Sequence, residues 1–311
     1  MNNQTVCDII NQVMFLKTMV FTVPAEEDGM TLKSWLRKNG ISTRSTVRLK
    51  HYGRILLDGE AVTVRAFVHT GNRVELCFPE DEKPAVPESI SVPIVYEDDD
   101  LIIMDKPPHM PVHPSKNLQS GTLANAFAHY AQSRGQSLAF RAVNRLDRGT
   151  SGLVIAALNP ISAAKLTGAV DKQYICICRG ELDESGRIDL PIRRKEESKM
   201  ERCVAPDGQR AVTNYRRIYT NGGFSVALVT LETGRTHQIR VHFSHIGHPL
   251  IGDTLYGEAD SILDRQALHC ISAGFIHPIT GLKVRVKTAL PDDIKAFLTA
   301  HGAEIELGDI L

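Results

Sequence analysis

Asn144-Arg145-Leu146-Asp147-Arg148-Gly149-Thr150-Ser151-Gly152 runs directly into the apolar stretch Leu153-Val154-Ile155-Ala156-Ala157-Leu158. The first nine residues set a carboxylate between two arginines among turn formers, and the next six read as a buried strand. A loop braced by a core strand is a common place for a reactive group, and the arginines offer the acid opposite charge. Asp147 is therefore the first candidate for chemistry. The strand beside it is the first fixed element of the fold.

Downstream, Lys172-Gln173-Tyr174-Ile175-Cys176-Ile177-Cys178 alternates as a strand should, and 224–231 is a further apolar strand. Upstream, β-type patterning restarts at 93–108, and 122–128 carries a helix signal, as does 162–167. The elements of 91–311 mix strands and helices, and an α+β fold on a mixed, mainly antiparallel sheet is expected there. The stretch 193–217 is polar and basic and reads as a weakly structured loop that could meet a phosphate backbone, with a flexible solvated loop as the alternative. In Gly234-Arg235-Thr236-His237-Gln238-Ile239-Arg240-Val241-His242, the section 238–241 alternates like a strand.

The N-terminal part reads differently. Leu32, Trp35 and Leu36 fall at helical spacing, Asn39-Gly40 is a stop, and Ser42-Thr43 starts a second helix. No acid lies between Asp28 and Asp58, whereas Arg37, Lys38, Arg44, Arg48, Lys50 and Arg54 do. A one-signed helical pair is an electrostatic footprint for RNA phosphates, against the plainer solvated face that normally mixes both signs. Turn-and-strand patterns follow at 53–60 and 71–78. Residues 19–80 are thus expected to form a small α/β module, 81–90 a Pro- and acid-rich linker that tethers it flexibly, and 1–18 a disordered lead-in.

The 311 residues carry 36 basic and 36 acidic side chains, so nucleic-acid affinity must come from local charge. The first residues lack a basic start, and 13–16 is too short an apolar run for an export signal or membrane span; a cytoplasmic monomer is expected. Six scattered cysteines fit reduced thiols. Cys176 and Cys178 share one strand face, which reads as buried small apolar residues in preference to half of a metal site.

Arg145-Leu146-Asp147-Arg148-Gly149-Thr150-Ser151-Gly152, Lys172-Gln173-Tyr174 and 234–242 followed by Gly247-His248-Pro249-Leu250-Ile251-Gly252-Asp253 resemble the RluA-type pseudouridine synthases. Lys106-Pro107-Pro108, His113-Pro114-Ser115, Leu268-His269-Cys270 and His277-Pro278 fit the same pattern, which runs from about 90 to 290. Residues 19–80 loosely resemble the RNA-binding domain named after ribosomal protein S-four. The resemblance implies isomerisation of uridine in RNA, in large-subunit ribosomal RNA or alternatively transfer RNA, without cofactor or metal. It assigns Asp147 as catalytic carboxylate toward ribose or uracil, Arg240 as its partner, Tyr174 to the uracil face and Arg145 to the space a flipped base vacates; Arg235 joins the RNA contacts. Asn144 stands where that family usually has His, a change that bears on loop support.

Three rivals remain at this point. His237, His242, His245 and His248 fall within twelve residues, but their spacing gives no helical i, i+4 pair with an acid, and Arg235 and Arg240 would repel a cation. A glycoside hydrolase would need a second carboxylate ~5–10 Å from Asp147. A silent RNA-binding or ribosome-assembly protein would keep the basic face without turnover.

Overall fold

The computed structural model describes residues 15–79, 84–198 and 200–305. The expected lead-in up to residue 14 and linker positions 81–83 lie outside the described residues. The N-terminal module runs β1 (Phe15–Thr22), β2 (Met30–Thr31), α1 (Leu32–Lys38), α2 (Thr43–Tyr52), β3 (Arg54–Leu57), β4 (Glu60–Ala61), β5 (Phe67–Val68) and β6 (Arg73–Pro79). Strand β1 corrects the boundary at residue 18, because its ladder with β6 extends from Thr22↔Arg73 to Phe15↔Pro79. A partner strand far along the chain supplies that order, which no local pattern announces.

The two helices form where their start signals stand: the side chains of Thr31 and Ser42 accept from the backbone N–H of Ser34 and Ser45. Their apolar faces bury Leu32, Trp35, Leu36 and Leu49 against Val74, Leu76 and Phe78 of β6.

The second part runs β7 (Ile94–Glu97), β8 (Leu101–Lys106), α3 (Leu123–Ser133), β9 (Arg141–Ala142), β10 (Ser151–Ala157), α4 (Pro160–Leu166), β11 (Asp171–Arg179), β12 (Ser185–Asp189), β13 (Ile192–Arg194), β14 (Arg202–Val204), β15 (Val212–Thr220), β16 (Phe224–Leu231), α5 (Gln238–His245), β17 (Leu268–Ile276), β18 (Lys283–Lys287) and α6 (Asp292–Ala300). Ten of these strands share one sheet, in the order β12-β15-β16-β11-β17-β10-β8-β7, with β18 beside β17 and β9 beside β10. Among the described pairings, β10 with β17 is the parallel one.

Period-two alternation sorts the central strands onto two cores. Tyr174, Cys176 and Cys178 of β11 with Ala227 and Val229 of β16 face the core under α3 and α5, whereas Ile175, Ile177, Val226 and Leu228 face α6. Cys176 and Cys178 are free, buried thiols on one face, and burial pushes Cys178 up to about 12.

Three expectations are corrected. The described part of 193–217 is ordered into the β13–β14 hairpin and most of β15, and four of its cations are paired with acids: Arg193 with Asp207 and Glu196, Lys195 with Glu201, Arg210 with Glu232, Arg217 with Glu181. Residues 238–245 are a helix. Four alternating positions are too few to separate a strand from a helix whose buried polar residues find distant partners. The connection at 84–90 is anchored, with Asn125 Nδ2 donating to the Val86 carbonyl at 2.8 Å and Glu88 Oε2 accepting from Gly121 N–H at 2.9 Å. Ile161 of α4 is built into the N-terminal core, so the module is docked and not loosely tethered.

Candidate active site

The Asp147 loop is held from four sides. Asn144, buried beneath it, donates to the Leu153 carbonyl at 3.0 Å and accepts from Ile155 N–H at 2.9 Å, so its amide acts as a short extra strand against β10. Lys106 places its ammonium within 2.9, 2.8 and 3.2 Å of the carbonyls of Pro107, Met110 and Arg148. Arg265 donates to the Gly149 carbonyl at 2.9 Å and pairs with Asp293 of α6. Gly152 follows at φ +108°, where an added Cβ would lie 2.2 Å from the Cys270 carbonyl oxygen; the close parallel crossing of β10 and β17 requires glycine.

Asp147 itself is part-exposed on the floor of an open cavity of about 760 Å³. Arg145, Arg148, Arg235, His237 and Arg240 line it, and a small adjoining cavity reaches Tyr174. Arg240, from α5, donates through Nη1 to Asp147 Oδ2 at 3.1 Å, while Nε and Nη2 form a bidentate pair with Asp253 at 2.7 and 2.8 Å. Burial works against the guanidinium charge, but Asp253 and then Asp147 more than offset it, and its pKa rises. The guanidinium carbon also lies 5.0 Å from the Tyr256 ring centre. Arg240 is thus an aimed cation, fixed by one acid and presented to another.

Tyr174 is buried at the inner end of this arrangement, and burial first, then Cys270 and Asp147, raise its phenol well above the ordinary range. The structure therefore brings Asp147, Tyr174, Arg240, Arg145 and Arg235 together. Arg37, Lys38, Arg44, Arg48, Lys50 and Arg54 lie on the N-terminal module and do not line the cavity; Lys38 is paired with Glu27 at 3.0 Å.

The spacing of residues gave no role to Asp253 and Tyr256. Both follow the Gly247-His248-Pro249 stretch, but their partnership with Arg240 and His237 exists only once the 253–257 turn folds back onto α5. Three of the four histidines of 237–248 are separately engaged: His237 with Tyr256, His242 with Thr213 and the Leu190 carbonyl, and His248 with the Arg179 carbonyl. Asp253, which lines the cavity with Asp147, has both oxygens bonded to Arg240 and is fully buried, so it is not a free second carboxylate for a hydrolase.

The comparisons place this fold and loop among the RNA pseudouridylate synthases. The chain belongs to that family, an isomerase family whose model matches residues 100–245. It is 37% identical over 278 residues to the uncharacterized RNA pseudouridine synthase YjbO of Bacillus subtilis (strain 168), covering 86% of this chain and 98% of that one. Ribosomal large subunit pseudouridine synthase D of Vibrio parahaemolyticus is 36% identical over 286 residues, covering 84% and 88% respectively. Among solved structures, human RNA Pseudouridylate Synthase Domain Containing 1 aligns with a TM-score of 0.53 at 25% identity, over 70% of this chain and 98% of that one.

Proposed function

We propose that this protein converts specific uridines of large-subunit ribosomal RNA to pseudouridine, with Asp147 as the carboxylate on which the exchange turns. The observation that carries this is the Asp147–Arg240 pair on the cavity wall, one carboxylate oxygen bound at 3.1 Å and the other 3.8 Å from His237 Nε2. The isomerisation breaks the bond from ribose C1′ to uracil N1 and forms one from C1′ to C5. A proton leaves C5 and another is gained at N1, so the reaction balances without oxidant or metal. What it needs is a fixed base or nucleophile beside an extracted base. Asp147 supplies the first, and a cavity of about 760 Å³ leaves room for the second.

Arg240 holds the carboxylate in one orientation through the chemistry. Tyr174 forms an aromatic wall at the inner end, and Arg145, exposed at the loop's edge, occupies the duplex position the base leaves. Arg235 and the basic residues of an S-four-like N-terminal module, Arg37, Lys38, Arg44, Arg48, Lys50 and Arg54, contact RNA phosphates. The choice of ribosomal RNA is supported by the names of several relatives near 35% identity.

Pseudouridine mapping of cellular RNA with and without the gene, complemented by wild type or Asp147→Asn, tests this directly. Loss of a large-subunit site restored only by wild type is the expected result. Restoration by Asp147→Asn would remove Asp147 from the chemistry, and a lost site confined to transfer RNA would redirect the substrate.

A further inference from the structure

His237 stands out among the cavity residues that the proposed reaction does not use. It carries φ +58° immediately before α5, in the left-handed region that side-chain-bearing residues seldom occupy. Such strain persists where the surroundings impose it, frequently at functional sites. Here the imposing partner is Tyr256, whose Oη lies 2.8 Å from His237 Nδ1, with the rings packed edge to face at 5.6 Å.

The hydrogen bonds around Tyr256 set the tautomer. Its Oη already accepts from the backbone N–H of Arg202 at 2.8 Å, and the acceptor within reach of its own proton is His237 Nδ1. Nδ1 is then the acceptor and Nε2 carries the hydrogen. The ring stays neutral: burial first, then the charges of Arg240 and Arg202, hold its pKa down against Asp147 and Asp253.

That Nε2 lies 3.8 Å from Asp147 Oδ1, too far for a hydrogen bond. An oxygen atom set to one side of the line joining them can lie at about 2.8 Å from each, provided it donates to the carboxylate and accepts from the imidazole. A hydroxyl does both; an ether, a carbonyl or a bare C–H does not. In a nucleotide, the hydroxyl nearest the glycosidic bond is the ribose 2′-OH, the group that separates RNA from DNA.

We propose that His237 Nε2–H and Asp147 Oδ1 form a seat for the 2′-hydroxyl of the target nucleotide, making His237 a specificity-determining residue. This rests on the proposed uridine isomerisation. Tyr256 is a positioning residue that acts through the tautomer it imposes on His237.

The test compares affinities, so it does not depend on turnover. The RNA hairpin bearing the mapped site is made in its product form, with either ribose or 2′-deoxyribose at the pseudouridine, and titrated against full-length protein. Wild type is expected to favour ribose about tenfold, the worth of one good hydrogen bond. In His237→Ala the preference should fall to within about twofold. His237→Gln, which keeps a donor, should restore part of it, and Tyr256→Phe should lower it without abolishing binding. Circular dichroism confirms folding of each variant, with Tyr256→Phe serving if His237→Ala unfolds. No ribose preference in wild type, or an undiminished one in His237→Ala or Tyr256→Phe, overturns the seat. Failure to find any mapped site would instead defeat the functional proposal, and this one with it.

Discussion

Lys106 Nζ lies 3.2 Å from the carbonyl oxygen of Arg148, which ties a fully buried ammonium to the residue next to Asp147. Its other two hydrogens go to the Pro107 and Met110 carbonyls, so all three donors are used. Burial first, then Arg265, brings its pKa down to about 7, against the pull of Asp147 and Asp105. The carboxylate loop is therefore fastened from inside the domain.

Lys106→Met removes the donors and strands three carbonyls. Chemical denaturation should show a loss of about 1–3 kcal/mol, and single-turnover rates on bound RNA should fall further than RNA affinity. Equal rates with lowered stability would confine Lys106 to a structural role.

Arg240→Ala should be more damaging than Asp147→Asn. The first leaves Asp253 buried without its bidentate partner, a loss of about 3–5 kcal/mol. The second keeps a planar polar group at a part-exposed position. Melting temperatures should thus separate the variants while both lack product formation. An Arg240→Ala protein as stable as wild type would contradict the assigned burial of that pair.

His269 sits in β17 with Nδ1 2.9 Å from Ser151 Oγ, and burial first, then Arg265, holds its pKa at about 3. In the unfolded chain an ordinary histidine titrates near ~6.5, so between those values the unfolded state binds more protons and stability rises with pH. At pH 5 the folded state should be weaker by about 2 kcal/mol on this account than at pH 7 or above. Unfolding free energies of wild type and His269→Gln from pH 7 to 5 check the sign. An equal slope in both would show that His269 is not the source.

The basic face of α1 and α2 should act through salt. Replacing Arg37, Arg44 and Lys50 by alanine should lower the slope of log affinity against log salt by about 0.7–0.9 for each phosphate no longer neutralised, leaving single-turnover rates on saturating RNA intact. Substitution is the cleaner test than removing residues 1–80, because Ile161 of α4 is packed into the N-terminal core and deletion would expose it. An unchanged slope would detach this face from RNA.

The amino-acid pattern carried strands β10, β11 and β16, helices α1 and α2, and the importance of the Asp147 loop. Each is specified by neighbours a few positions away: alternation, capping residues, or a turn leading into an apolar run. Its failures share one cause. Helix α5 was hidden by buried polar residues: Gln238 is satisfied by Thr233, Arg235, Val212 and Thr213, and His242 by Thr213 and Leu190. The 193–217 segment looked loose because its ordering partners, including Glu232 and Tyr256, lie elsewhere in the chain.

By itself, then, the sequence determined the class of fold, the strand bracing the loop and the identity of the candidate carboxylate and arginine. Only the tertiary structure decided which Asp147 oxygen Arg240 binds, that Arg240 is held by Asp253, and that Tyr256 meets His237 Nδ1. Local pattern encodes periodicity and turn chemistry, whereas the aim of a side chain depends on hydrogen-bond partners brought in from distant positions, and those partners exist only in the folded chain.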